Sequence, residues 1–137
     1  MERQHRSVQD FLAEARAQLP KRLSPAEAAQ EMLYGAKLID IRYLEQRMAD
    51  GVIPGAIQIN RNEFEWRCDP ASPWRDGRIA PDDYEQRLII VCNQGYQSSL
   101  AAANLQSLGL VNVTDIDGGY QAWKASGQPW APYEDGR

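Results

Sequence analysis

Leu88-Ile89-Ile90-Val91-Cys92-Asn93-Gln94-Gly95-Tyr96-Gln97-Ser98 is the stretch whose reading decides the fold. An unbroken run of branched apolar residues predicts a strand buried on both faces, the pattern of a parallel sheet, and ligands of such sheets gather beyond the carboxyl ends of the strands. Cys92 stands at that end. A short polar loop follows it and a helix is predicted from Ser99. The loop N–H groups of Asn93 to Ser98 and the helix N-terminus are therefore expected to form an anion cradle around the sulfur. Gly95 allows the backbone to turn inward with positive φ, as aiming several N–H groups at one centre requires. Such surroundings lower a cysteine pKa from roughly 8.5 to about 3.5–7.5 and make the sulfur nucleophilic. The competing reading is a small buried cysteine with no chemistry, since free cysteine is common in cores.

Working outward, a chain of 137 residues with 43% hydrophobic and 25% charged residues fits one soluble domain with a proper core. No stretch approaches the roughly 20 apolar residues of a membrane span. Met1 to Arg6 leads into an amphipathic stretch without an apolar leader core, so a cytoplasmic location and no membrane partner are expected. A net charge of -4 with no basic run argues against nucleic acid as a partner. Cys68 and Cys92 are the 2 cysteines, and neither belongs to a C-x-x-C pair or a His/Cys cluster, so no metal site is expected. The lone histidine, His5, could serve Cys92 only if the amino terminus folded back over it.

Val8, Phe11, Leu12, Ala15 and Leu19 recur at helical spacing after Ser7 and before Pro20, predicting an amphipathic helix over 8–19. Its apolar face meets either the domain itself or a second copy or partner. Ser24-Pro25-Ala26-Glu27 is a capping-box start for a helix to about Leu33. A strand over Lys37 to Arg42, a helix from Leu44 to Asp50, a weak strand over Ala56 to Asn60 and a helical piece from Asn62 to Trp66 follow. Residues 67–82 are rich in turn formers and long for a connection, which suggests a functional or mobile loop. Beyond the helix over Ser99 to Leu108, a strand is predicted within Val111 to Ile116 and a last helix over Tyr120 to Ser126. Strands alternating with helices imply a parallel-type α/β sheet covered on both faces.

Several motifs fall in a recognisable order. Leu38-Ile39-Asp40-Ile41-Arg42 ends a first strand in Asp-x-Arg, and Gly51-Val52-Ile53-Pro54-Gly55-Ala56 follows it. Cys92 to Gln97 forms a Cys-x-x-Gly loop, and Gly118-Gly119-Tyr120-Gln121-Ala122-Trp123 closes the set. In these the chain resembles the rhodanese-like (sulfurtransferase) domain family from about Ser24 to Pro129. The resemblance implies a three-layer α/β sandwich with a central, mostly parallel sheet of about five strands. Residues 1–22 would form an N-terminal helical extension and 23–133 the rhodanese-like domain. It further implies that Cys92 carries a sulfane sulfur as a persulfide, taken from thiosulfate or another persulfide and passed to cyanide or a thiol. Asn93, Gln94, Gly95, Tyr96, Gln97 and Ser98 would bind the substrate. No cofactor is required, and the acceptor could be a thiol on another protein. A homodimer through the first helix is a further expectation.

The departures from the family pattern bear on substrate. Many relatives that use thiosulfate carry a basic residue in the loop, whereas this loop is uncharged. Arg75 or Arg78 could compensate, or could be solvated loop charges. Asp40 and Arg42 read as structural support. Val52 replaces the family's usual histidine. Tyr96 is either a substrate contact or an exposed loop side chain, Trp123 reads as core, and Trp66 and Trp74 could line the pocket mouth. Cys68 is either a resolving thiol or an unrelated, partly exposed one. Two other functions compete. A Cys-x₅-Arg phosphatase needs an arginine where Ser98 stands, and a redox sensor or binding module would keep the fold without the turnover.

Overall fold

The run at 88–91 is a strand because its side chains find apolar partners on both sides of one sheet. In the computed structural model, which describes residues 4–135, Leu88–Val91 (β3) lies between Lys37–Asp40 (β1) and Val113–Asp115 (β4). Ile57–Gln58 (β2) pairs with the other edge of β1, giving the order β2-β1-β3-β4 with every pairing parallel. The period-2 alternation of strands sorts the core into two layers. Leu88, Ile90 and Cys92, with Ile39 and Ile41, face Phe64–Cys68 (α4) and Gln97–Ser107 (α5). Leu38, Ile89 and Val91 face Pro25–Leu33 (α2) and Gly119–Ala125 (α6). Leu44–Asp50 (α3) links β1 to β2.

Among the described residues the sheet has four strands, one fewer than the resemblance implies. Leu23 alone occupies the fifth place, beside β4: its N–H donates to the Asp115 carbonyl at 3.0 Å and its carbonyl accepts from Asp117 N–H at 2.8 Å. No longer strand fits there, because Ser24 and Pro25 already cap and start α2.

Val8–Gln18 (α1) and α2 begin in the same way. The Ser7 and Ser24 hydroxyls each accept a backbone N–H three residues on, and the Asp10 and Glu27 carboxylates accept the serine N–H in return. The apolar face of α1 packs on α5 of its own chain, burying Leu12 and Ala15. The 67–82 connection is a series of bonded turns: Asp76 N–H donates to the Arg67 carbonyl at 2.9 Å, Asp82 N–H to the Pro70 carbonyl at 3.1 Å, and Ile79 is fully buried as its anchor. Among the described residues no helix is long and apolar enough to cross a membrane.

Candidate active site

Chain connections leave β1 for one edge of the sheet and β3 for the other, so a crevice opens beyond the carboxyl ends of these two neighbours. A cavity of about 370 Å³ lies there. Ile41, Arg42 and Tyr43 follow β1 into it, Arg61 and Asn62 follow β2, and Cys92, Asn93, Gln94, Tyr96 and Gln97 follow β3. Cys92 is 7% exposed, so it is packed into the sheet end yet open to the cavity. Its Sγ accepts two backbone hydrogen bonds, from Gly95 N–H at 3.2 Å and Ser98 N–H at 3.3 Å. Helix α5 begins at Gln97 rather than at Ser99, and this puts the Ser98 N–H in the first turn, where no helical carbonyl competes for it. Gly95, at φ +87°, turns its amide inward as the sequence reading required.

The six loop residues divide by role. Asn93, Gln94, Tyr96 and Gln97 line the cavity, whereas Gly95 and Ser98 aim their amides at the sulfur. The Gly118-Gly119 close explains itself from the same place. Tyr120 N–H donates to the Cys92 carbonyl at 2.8 Å and Gln121 N–H to the Asn93 carbonyl at 3.1 Å. This approach is possible because Gly119 has no side chain: at φ +61°, a Cβ there would sit 2.5 Å from the Cys92 carbonyl oxygen. Gly119→Ala is accordingly expected to lower stability by more than about 2 kcal/mol, combining left-handed strain with a backbone clash. It should also slow alkylation of Cys92 in the protein that remains folded, measured by denaturant titration and by iodoacetamide labelling.

The charges at the mouth are not those the sequence pointed to. Arg75 donates from Nε to the Ile79 carbonyl, and Arg78 forms a forked pair with Asp76; neither lines the Cys92 cavity. Arg42 and Arg61 do. Arg42 is 2% exposed, its Nε and Nη2 bind the fully buried Asp40 carboxylate at 2.8–3.1 Å, and Nη2 also donates to the Gly51 carbonyl. Among the described residues its buried Nη1 has no hydrogen-bond partner, and the Tyr120 ring lies 3.7 Å from the guanidinium carbon. Arg61 is held by Glu65 and by the Gln97 amide oxygen, the latter at 3.0 Å. Asp40 and Arg42, read from the sequence as structural support, bind each other directly, and Arg42 is in addition among the residues lining the cavity. The Asp-x-Arg spacing was a signal for the first property only.

Apart from Tyr96, the remaining candidates fall away from the sulfur. Cys68 is fully buried rather than partly exposed, and burial first, with the nearby Asp76 and Glu65 charges adding, pushes its thiol pKa well above the usual range. It stays protonated and closed to solvent. Trp66 and Trp74 are exposed and line a different hollow, with Glu63 and Arg67. Trp123 is core, its indole N–H donating to the Pro129 carbonyl at 2.7 Å. Val52 is buried and bridged to Ala131 of the carboxyl-terminal segment. Tyr96 is 57% exposed at the mouth. His5 is exposed. Among the described residues no cluster of His, Cys, Asp or Glu is placed to hold a metal ion.

Known proteins similar to this chain point to one family. The model of the Rhodanese-like domain matches residues 24–126. The thiosulfate sulfurtransferase GlpE of Pseudomonas entomophila is 32% identical over 106 residues, covering 77% of this chain and 86% of its own. The corresponding protein of Pseudomonas savastanoi pv. phaseolicola is 29% identical over 106 residues, covering 77% and 89%. Among solved structures, a Rhodopseudomonas palustris protein described as of unknown function and a possible tyrosine phosphatase superposes with a TM-score of 0.81 at 30% identity. It covers 96% of this chain and 99% of its own. The polysulfide-sulfur transferase homodimer of Wolinella succinogenes shares the fold, with a TM-score of 0.72 at 20% identity over 94% of this chain and 90% of its own. With the family model matched over most of its length, the chain belongs to the rhodanese-like domain family.

Proposed function

We propose that the protein is a rhodanese-type sulfurtransferase whose Cys92 carries the transferred sulfur. The observation that carries the reading is the pair of backbone amides on Cys92 Sγ, which are donors suited to an anion on that atom. In the first half-reaction the Cys92 thiolate attacks the outer sulfur of the donor. The donor's S–S bond breaks, sulfite or a thiolate leaves with the bonding pair, and Cys92–S–S⁻ remains. In the second, cyanide or a thiolate attacks the terminal sulfur, taking it away and returning Cys92 to the thiolate. The sulfur is shuttled with no proton transfer to a histidine. Arg61, partly exposed at the cavity, supplies positive charge that the loop lacks and is the guanidinium placed to meet an oxyanion such as the sulfonate end of thiosulfate, while the fully buried Arg42 side chain adds its field from behind the cavity wall. A protein acceptor, or a second copy, would meet α1 at Val8 and Phe11, which its packing on α5 leaves exposed.

The test is intact-mass spectrometry after incubation with thiosulfate or glutathione persulfide. A gain of about 32 Da, one sulfur atom, that cyanide removes with release of thiocyanate is the expected result. No adduct with either donor would overturn the proposal and favour a binding module. The name of the Rhodopseudomonas relative raises a phosphatase, but the arginine needed six residues after the thiol is Ser98, whose hydroxyl is turned away to Asp115 at 2.7 Å. Hydrolysis of an aryl phosphate without a sulfur adduct would decide for that chemistry instead.

A further inference from the structure

The segment ahead of residue 24 lies outside the family match, yet two of its arginines reach the back of the sulfur loop. Arg16, in the last turn of α1, donates from Nη2 to the Gly95 carbonyl at 2.8 Å and from Nε to Ser99 Oγ at 3.1 Å. Arg22 donates from Nη2 to the same carbonyl at 3.0 Å and grips the buried Asp115 carboxylate through Nε and Nη2. Asp115 in turn accepts the Ser98 and Ser99 hydroxyls, each at 2.7 Å. Both residues whose amides meet the sulfur are therefore held from behind: Gly95 by its carbonyl, Ser98 by its hydroxyl.

We propose that the N-terminal extension is a positioning element of the sulfur site, in which Arg16 and Arg22 lock the Gly95 and Ser98 amides onto Cys92. The guanidinium pair draws on the Gly95 carbonyl and so fixes the plane of the adjoining loop peptides. The cluster sets two guanidinium groups and two carboxylates behind an uncharged loop. Arg22 pairs with the buried Asp115 and, at 3.4 Å, with the exposed Asp117, whereas Arg16 has no carboxylate within ion-pair distance among the described residues and instead lies 5.8 Å from the Tyr96 ring centre. Partial burial works against the Arg22 charge, but its hydrogen bond to Asp115 and the fields of Asp115, Asp117 and the Cys92 sulfur outweigh it and raise its pKa. The extension thus contributes through orientation and field, without touching substrate.

This inference rests on Cys92 being the reactive sulfur, so its test uses alkylation of that thiol, a readout that does not require sulfur transfer. Iodoacetamide labelling of Cys92 is followed by peptide mass against pH for wild type, Arg16→Gln, Arg22→Gln and Arg16→Lys. Each glutamine variant is expected to label about three- to tenfold more slowly at neutral pH, the loss of one charged hydrogen-bond set, with its pH profile displaced to alkaline. Arg16→Lys should recover most of the rate. The proposal is overturned if folded Arg16→Gln labels with the wild-type rate and profile, or if lysine and glutamine variants are equally impaired with no change of profile. Should Arg22→Gln fail to fold, half-buried Arg16, which binds no carboxylate, still decides the matter. Absence of a sulfur adduct in wild type, with the labelling differences intact, would sink the transferase reading and leave the tether standing.

Discussion

Replacement of Cys92 by serine is expected to abolish the sulfur adduct and all thiocyanate formation, while Cys68→Ser retains both. The asymmetry follows from access and environment. Cys92 opens onto the cavity and receives two amides, whereas Cys68 is sealed in the apolar layer between sheet and helices and is kept protonated by that burial. The hydroxyl of Cys92→Ser is far harder to ionise and a much poorer nucleophile towards sulfur, so no residual turnover above the uncatalysed reaction is anticipated. Cys68→Ser should instead lower stability by about 1–3 kcal/mol, because it buries a hydroxyl among apolar neighbours. Mass spectra of both variants after the same donor treatment check the prediction. An adduct on Cys92→Ser would show the sulfur resides elsewhere and end the mechanism proposed for this site.

Asp40→Ala is expected to be the most destabilising of the substitutions considered, by about 3–5 kcal/mol. Asp40 is fully buried, and its carboxylate accepts Arg42 Nε, Nη2 and backbone N–H. Removing it strands a guanidinium that has no water to turn to, with only the Gly51 carbonyl and the face of Tyr120 left to it. For a chain of this length the cost corresponds to a fall in Tm of about 10–17 °C. Asp40→Asn keeps the shape and two acceptor contacts and should lose markedly less. Calorimetry of the two variants separates charge from packing, and equal melting temperatures would mean that the charge of Asp40, not its shape, carries the contribution.

Much of this architecture is legible from short-range patterns. The apolar run at 88–91, the Ser7 and Ser24 caps and the helix at 44–50 are properties of a few consecutive residues, and each is an element or cap at the place expected. Cys92 and the Gly95 turn are local in the same sense. Strand lengths were less legible: β2 keeps only Ile57–Gln58 of the stretch from Ala56 to Asn60, because the length of a ladder depends on its partner.

Sequence alone determined the alternation of strand and helix, the parallel sheet it demands and the thiol at the sheet end, because periodicity, caps and turn residues act over one or two turns of chain. Which arginines serve that thiol was decided only by the tertiary structure. Arg16 and Arg22 reach Gly95 across 79 and 73 residues, while Arg75 and Arg78, closer in sequence to Cys92, bond within their own loop. A charged side chain follows no period, and its partner is set by the topology that brings distant segments together.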